Sequence, residues 1–208
     1  MPAIIPSLIS PQNFELARAQ ICAILALELA NQATLDAPYP AITKVWEERC
    51  IAFDADTEFP AINVSLHKGD YSNSDVRKAD GKYLFNIDVY IDAPTSDNGG
   101  PGDQRAMYWL TKIVGVVRTI LMWPKYRQTL LLPPGTLVGF NNVDRFFLGD
   151  RTTVADALSS VVGRVQYAVG AIETVGLSEA AALTLSTTKV YLHETDQGFY
   201  YEYIPPVE

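Results

Sequence analysis

The segment that most constrains this chain is Tyr83-Leu84-Phe85-Asn86-Ile87-Asp88-Val89-Tyr90-Ile91-Asp92. Its residues alternate strictly, with Tyr83, Phe85, Ile87, Val89 and Ile91 on one face and Leu84, Asn86, Asp88, Tyr90 and Asp92 on the other. Strand side chains repeat every two residues, so the pattern predicts a long strand with one face in a core and the other too polar for one. Ala61-Ile62-Asn63-Val64-Ser65-Leu66-His67 repeats the alternation through Ile62, Val64 and Leu66. A third run, Ser159 to Val175, sets Val161, Val165, Tyr167, Val169 and Ala171 against Arg164, Gln166, Ala168 and Gly170. Strands of this kind pair into a sheet and need a separate layer over the apolar face.

Two segments have helical period and supply that layer. From about Pro11 to Asn31, with Ser10 as N-cap and Pro11 as first helical residue, Phe14, Ala17, Ile21, Ile24 or Leu25, and Glu28 recur at three-and-four spacing. Leu16, Ala23, Leu27 and Ala30 widen the apolar side, and a stripe that broad implies contact with a sheet and with a second surface, a neighbouring helix or subunit. From about Asp103 to Met122, Ala106, Leu110, Ile113, Val117 and Ile120 or Leu121 share a face, and Trp123-Pro124 stops the run. The expected fold is α/β (α+β): a mixed, mainly antiparallel sheet of about five strands with two long helices packed on one face. A single domain is expected over residues 1–208.

The remaining segments are read around that frame. Pro38 and Pro40 break the pattern, and Ile42 to Ala52 reads as a strand. Asp54-Ala55-Asp56-Thr57-Glu58 is an acidic turn that lacks the glycine and closing glutamate of a calcium loop. Lys68 to Lys82 reads as a long polar hairpin loop at 68–82, since its residues offer little to bury. The elaborated segment 128–151 reads as short strands or an extended arm, with Val143 to Leu148 apolar and exposed. Ser178 to Ala182 suits a helical turn, and Thr187 to Leu192 and Phe199 to Ile204 look extended.

Composition narrows the function classes. With 48% hydrophobic and 19% charged residues the chain is not intrinsically disordered as a whole. A formal charge of −8 argues against sequence-independent nucleic-acid binding, which needs clustered Lys and Arg. Cys22 and Cys50 have no CxxC or Cys/His metal spacing and read as two buried thiols in a reducing compartment. Met1 to Pro6 lacks the basic start and apolar core of a signal peptide, and the most apolar run, Ile21 to Leu27, is too short to span a membrane.

Catalytic chemistry is hard to find. His67 and His193 stand in isolated pairs with Asp70 and Glu194, short of the three or four convergent ligands of a zinc site. There is no Gly-x-Ser-x-Gly elbow and no His-Glu-x-x-His. Asn98-Gly99-Gly100-Pro101-Gly102 is followed by Asp103-Gln104-Arg105, where a phosphate cradle needs Lys-Ser or Lys-Thr. Asp88 and Asp92 share a strand face about 13 Å apart, beyond the separation of paired carboxylates in glycoside chemistry. No catalytic residue, metal or cofactor is expected.

The order helix, strand, long hairpin, helix, strand, strand resembles the tail terminator, or tail completion, proteins of tailed bacteriophages. The parts that carry the resemblance are the helix ending near Asn31, Pro60-Ala61-Ile62-Asn63-Val64, the Tyr83 to Ile91 strand, the Asp103 to Met122 helix and the Val165 to Val169 strand. They cover about two thirds of the chain. The resemblance implies a non-enzymatic virion protein at the tail–neck junction, present in the host cytoplasm during assembly. It implies a homo-hexameric ring that caps the tail tube, with the tube protein and neck or connector proteins as partners, the sheath as a further candidate in a contractile tail, DNA as passing cargo, and no membrane partner. On that reading the interface residues are Lys68, Asp70, Tyr71, Arg77, Lys78 and Lys82 in the hairpin loop and Arg105, Lys112 and Arg118 along the second helix. The nearest alternative is another head–tail connector, an adaptor or stopper. From a different class comes a small cytosolic enzyme with a site built from His67, Asp88 and Asp92.

Overall fold

The computed structural model describes residues 8, 10–35, 42, 44–50, 60–73, 78–93, 102–139, 141–148, 159–174, 186–191 and 198–203. In chain order the elements are α1 (Asn13–Leu35), β1 (Lys44–Glu47), β2 (Ala61–Asn73), β3 (Lys78–Ala93), α2 (Gly102–Leu121), α3 (Pro124–Thr129), β4 (Asn142–Leu148), β5 (Ser159–Thr174), β6 (Ser186–Tyr191) and β7 (Gly198–Tyr203). The chain forms two compact units, Pro11–Val175 and a second made of Met1–Ser10 with Gly176–Glu208. In the second unit β6 and β7 pair antiparallel, Ser186 opposite Tyr203 and Tyr191 opposite Gly198.

The larger unit is a five-stranded mixed sheet in the order β1-β2-β3-β5-β4, parallel between β1 and β2 and antiparallel elsewhere. β3 is central, pairing with β5 along its whole length from Lys78 opposite Thr174 to Ala93 opposite Ser159. Both long helices contribute to one core with the apolar sheet face. Ile21, Leu25 and Leu29 of α1 and Leu110, Ile113, Val117 and Leu121 of α2 meet Ile62, Val64, Phe85, Ile87, Val89, Val165 and Val169. α1 packs over β1, β2 and β5, and α2 over β3, β5 and β4. At Gly163 a Cβ would lie 2.9 Å from Val114 Cγ2, so a glycine there lets α2 seat directly on β5.

The start of α1 differs from the expectation. Helix begins at Asn13, not Pro11, with Gln12 as the cap: Glu15 and Leu16 N–H donate to Gln12 O, and Gln12 N–H donates to Glu15 Oε2 at 2.7 Å. The Glu15 carboxylate thus supplies the returning half of a capping box, while the acceptor on Gln12 in these bonds is its backbone carbonyl. A distant carboxylate completes the cap. Glu173 of β5 accepts from Asn13 N–H at 2.9 Å and Phe14 N–H at 3.1 Å.

The long loop expected at 68–82 is mostly ladder. Residues 68–73 pair with 79–84, Asp70 opposite Lys82 and Asn73 opposite Ala79, and residues 74–77 lie outside the described residues. Hydrogen bonding replaces apolar burial here, because β5 gives this end of β3 a second partner. Gly69 and Gly81 leave room for the ring of Tyr83, which a Cβ on Gly81 would meet at 2.5 Å. Register slips once, between Leu66 and Lys68, where His67 bulges out exposed.

Three other boundaries move. Within the range Ile42 to Ala52 expected as a strand, the described residues form strand at Lys44–Glu47, which Glu48 ends at φ 51°, and residues 43, 51 and 52 lie outside the described residues. Trp123-Pro124 stops α2 as expected but also opens α3, since proline at a first helical position loses no hydrogen bond. Cys22 and Cys50 are free thiols, and only Cys22 is partly buried while Cys50 is exposed. The acidic turn 54–58, the connector 94–101 and the suggested turn at 178–182 lie outside the described residues.

Candidate functional site

The sheet face opposite the helices is a polar layer organised in cross-strand rows. In one row Asn63, Asp88 and Arg164 stand side by side on β2, β3 and β5. Asp88 is 4% exposed, and Arg164 closes on it with two parallel bonds, Nε to Oδ1 at 2.6 Å and Nη2 to Oδ2 at 2.9 Å. Those bonds hold the guanidinium above its ordinary pKa. In the next row Gln166 Nε2 donates to Asn86 Oδ1 at 2.9 Å, both residues being buried. Asn63 mimics a backbone unit, its amide exchanging two 3.0 Å bonds with Arg49 N–H and C=O. Each polar group within these rows answers another, so the rows fix strand register.

Asp88 therefore has both oxygens occupied by Arg164, and His67 lies four residues along β2 from the partner of Asp88, about 13 Å away by strand rise. The side chain of Asp92 lies outside the described residues. Among the described residues no group of three His, Cys, Asp or Glu is placed to hold a metal ion.

The sequence-derived interface residues separate into three places. Lys68, Asp70 and Tyr71 are exposed on β2, with Lys68 Nζ 2.8 Å from Asp70 Oδ2. Tyr71 sets its ring edge-on to Tyr83 at 5.7 Å. Lys82 is exposed opposite Asp70, and a cleft of about 400 Å³ here is bounded by Asp70, Tyr71, Asp80, Lys82 and Val138 over Gly81 and Gly170. Lys78 pairs with Thr174, its side chain undescribed, and Arg77 lies outside the described residues. On α2, Arg105 is exposed and Lys112 holds its ammonium 5.0 Å over the Trp109 ring. The expected basic stripe is not one line: six residues from Lys112 carry Arg118 about 120° around the helix.

Two features sit outside those positions. A cleft of about 410 Å³ lies between α1, α2 and α3, lined by Glu28, Val116, Ile120, Trp123 and Tyr126, with the Tyr126 hydroxyl donating to Glu28 and Trp123 60% exposed. No single residue in the sequence signals it, because it forms where a helix hidden behind Trp123-Pro124 turns back. The other is β4, an edge strand whose Phe146, Phe147 and Leu148 are 54%, 46% and 40% exposed. Val143 to Leu148 is apolar and exposed as expected from its sequence, and the strand order places it at the sheet edge.

None of the described helices is long and apolar enough to cross a membrane. Comparison with models of known protein families gives no match, and comparison with curated proteins gives none either.

Proposed function

We propose that this chain is a structural protein of a phage virion, a subunit of a hexameric ring that caps the tail tube and joins tail to neck. The observation that carries the reading is the layered body itself. Two long helices cover one face of a five-stranded mixed sheet, and the ladder ends at β1 on one side and β4 on the other. Different surfaces on the two sides of a subunit suit head-to-tail contacts, and such contacts close into a ring when the rotation allows. The exposed polar end of the β2–β3 hairpin, with Lys68, Asp70, Tyr71 and Lys82, is the surface offered to the tube. The acidic chain, −8 overall, suits a channel through which DNA passes without sticking.

The test is native mass and negative-stain imaging of the concentrated protein, with and without purified tail tubes. A ring of six 22.9 kDa chains with a central channel, seated on tube ends, is expected. A ring that binds only portal complexes would make the chain an adaptor or stopper. A monomer that ignores tubes, or a ring with a strongly basic lumen, would overturn the proposal.

A further inference from the structure

The cleft between α1, α2 and α3 is walled by side chains whose polar atoms are nearly all acceptors. Glu28 and Gln32 stand one turn apart on α1 and line it together. Val116, Thr119, Ile120 and Trp123 recur at three-and-four spacing through the last turns of α2 and just past its end, and line it as well. Ile120 is 8% exposed and Trp123 60%, so the cleft runs from an apolar floor to an aromatic rim. α3 adds Lys125 and Tyr126.

A hydroxyl has one proton to give and lone pairs to offer. Tyr126 gives its proton to Glu28 Oε1, and Thr119 gives its own to Gly115 O at 2.9 Å. Both hydroxyls are therefore left as acceptors. The bond to Glu28 raises the Tyr126 phenol above its ordinary pKa, which keeps that proton in place at neutral pH. Glu28 itself is half-buried, and among the described residues its Oε2 has no hydrogen-bond partner and no cation within ion-pair distance, Lys125 included. Gln32 is the exception to the pattern, since a carboxamide both donates and accepts. The end of α2 contributes the same sign, because the carbonyls at a helix C-terminus carry partial negative charge. A group that answers these walls is positively charged, donates several hydrogen bonds and carries an apolar body for Ile120 and Trp123.

We propose that the cleft is a binding site for a small organic cation, an ammonium or guanidinium group on a compact aromatic or apolar body, with the charge at Glu28 and the body against Ile120 and Trp123. Its volume of about 410 Å³ lies within the roughly 300–1,000 Å³ of small-ligand sites, which suits a free molecule better than the single side-chain head of a partner protein. Every residue of the site comes from one chain, so binding is independent of the ring reading.

The experiment titrates the full chain with phenethylammonium, phenethyl alcohol and phenylpropionate, which share a ring and differ in charge, and with acetylarginine amide as a side-chain mimic. Heat and tryptophan fluorescence are followed. Saturable binding of one phenethylammonium per chain is expected, with the alcohol and the carboxylate at least about tenfold weaker, because a hydrogen bond to a charged group exceeds a neutral one by that order. Glu28→Gln keeps an acceptor for Tyr126 and removes the charge, and should weaken phenethylammonium about tenfold while leaving the alcohol unchanged. Lys125→Met removes a competing charge from an exposed position and should tighten phenethylammonium about twofold. Should Glu28→Gln lose its far-UV dichroism, Lys125→Met decides alone, since a folding defect does not strengthen binding. Equal affinity for the amine and the alcohol overturns the proposal, as does amine binding that survives Glu28→Gln in a folded chain or fails to tighten in Lys125→Met. Binding of acetylarginine amide without phenethylammonium overturns the free-ligand assignment and gives the cleft to a protein side chain. No saturable binding of any of the four probes overturns the site altogether.

Discussion

α1 and α2 lie on the same sheet face, bury comparable apolar rows and differ in what they turn outward. α2 presents Gln104, Arg105, Tyr108, Thr111 and Arg118 to solvent, an amphipathic helix whose outer face needs no partner. α1 presents alanines and leucines. Core packing alone would be satisfied by either pattern, so the difference lies in the outer faces and not in the core. Both are also pinned by a buried tyrosine. Tyr83 donates to Glu173 Oε1 at 2.8 Å, on the carboxylate that caps the start of α1, and Tyr167 donates at 3.3 Å to Leu121 O at the end of α2.

The largest effect should erase the difference between the helices. Ile21→Ala and Ile113→Ala each empty a fully buried site, and each should cost about 2–5 kcal/mol in denaturant unfolding. A loss well under that range at Ile21 alone would mean that α1 is only loosely seated. Glu173→Gln should separate the helices again. It weakens a buried acceptor serving Asn13, Phe14 and Tyr83, so a loss of about 1–3 kcal/mol is expected, with hydrogen exchange accelerated at the first turn of α1 and not in α2. Equal acceleration in both would show that the cap supports the whole layer.

Alkaline pH should act on both pins. Burial raises the Tyr83 and Tyr167 phenols above the ordinary value of 10.0, so in the folded state they keep their protons where unfolded tyrosine begins to lose them. Their contribution is intact below about pH 10 and is lost as pH rises from there through the raised folded values, at up to about 1.4 kcal/mol per pH unit for each. Urea midpoints that fall above about pH 10, less steeply in Tyr83→Phe, would bear this out; a flat profile would not. Cys22, pushed up to about 12 chiefly by burial, should react slowly with thiol reagents at neutral pH while exposed Cys50 reacts at once. Smallest of all should be the change in monomer stability from Ala23→Glu on α1 and Thr111→Glu on α2, within about 0.5 kcal/mol for both. A larger destabilisation at Ala23 would mean that its face is already covered within the chain.

The fold was legible where period and burial coincide. The alternation of Ser159 to Val175 specified β5 to within a residue and that of Tyr83 to Asp92 specified the far end of β3, which starts five residues earlier at Lys78, and the three-and-four spacing of Leu110, Ile113 and Val117 specified α2. The breadth of the apolar stripe on α1 already called for a second surface. Hidden from sequence were features decided by residues far apart in the chain. Glu173 caps a helix 160 residues away, and nothing near Asn13 announces it. Lys68 to Lys82 looks like a loop because it has little to bury, yet β5 supplies a ladder and Tyr83 fills the space over two glycines. Asp88 looks available for chemistry until Arg164 takes both its oxygens. What sequence determined was which faces are apolar, since that depends on side-chain period alone. Which polar groups are already answered, and which apolar faces remain open, only the tertiary structure decided, because their partners are set by how the strands are ordered in the sheet.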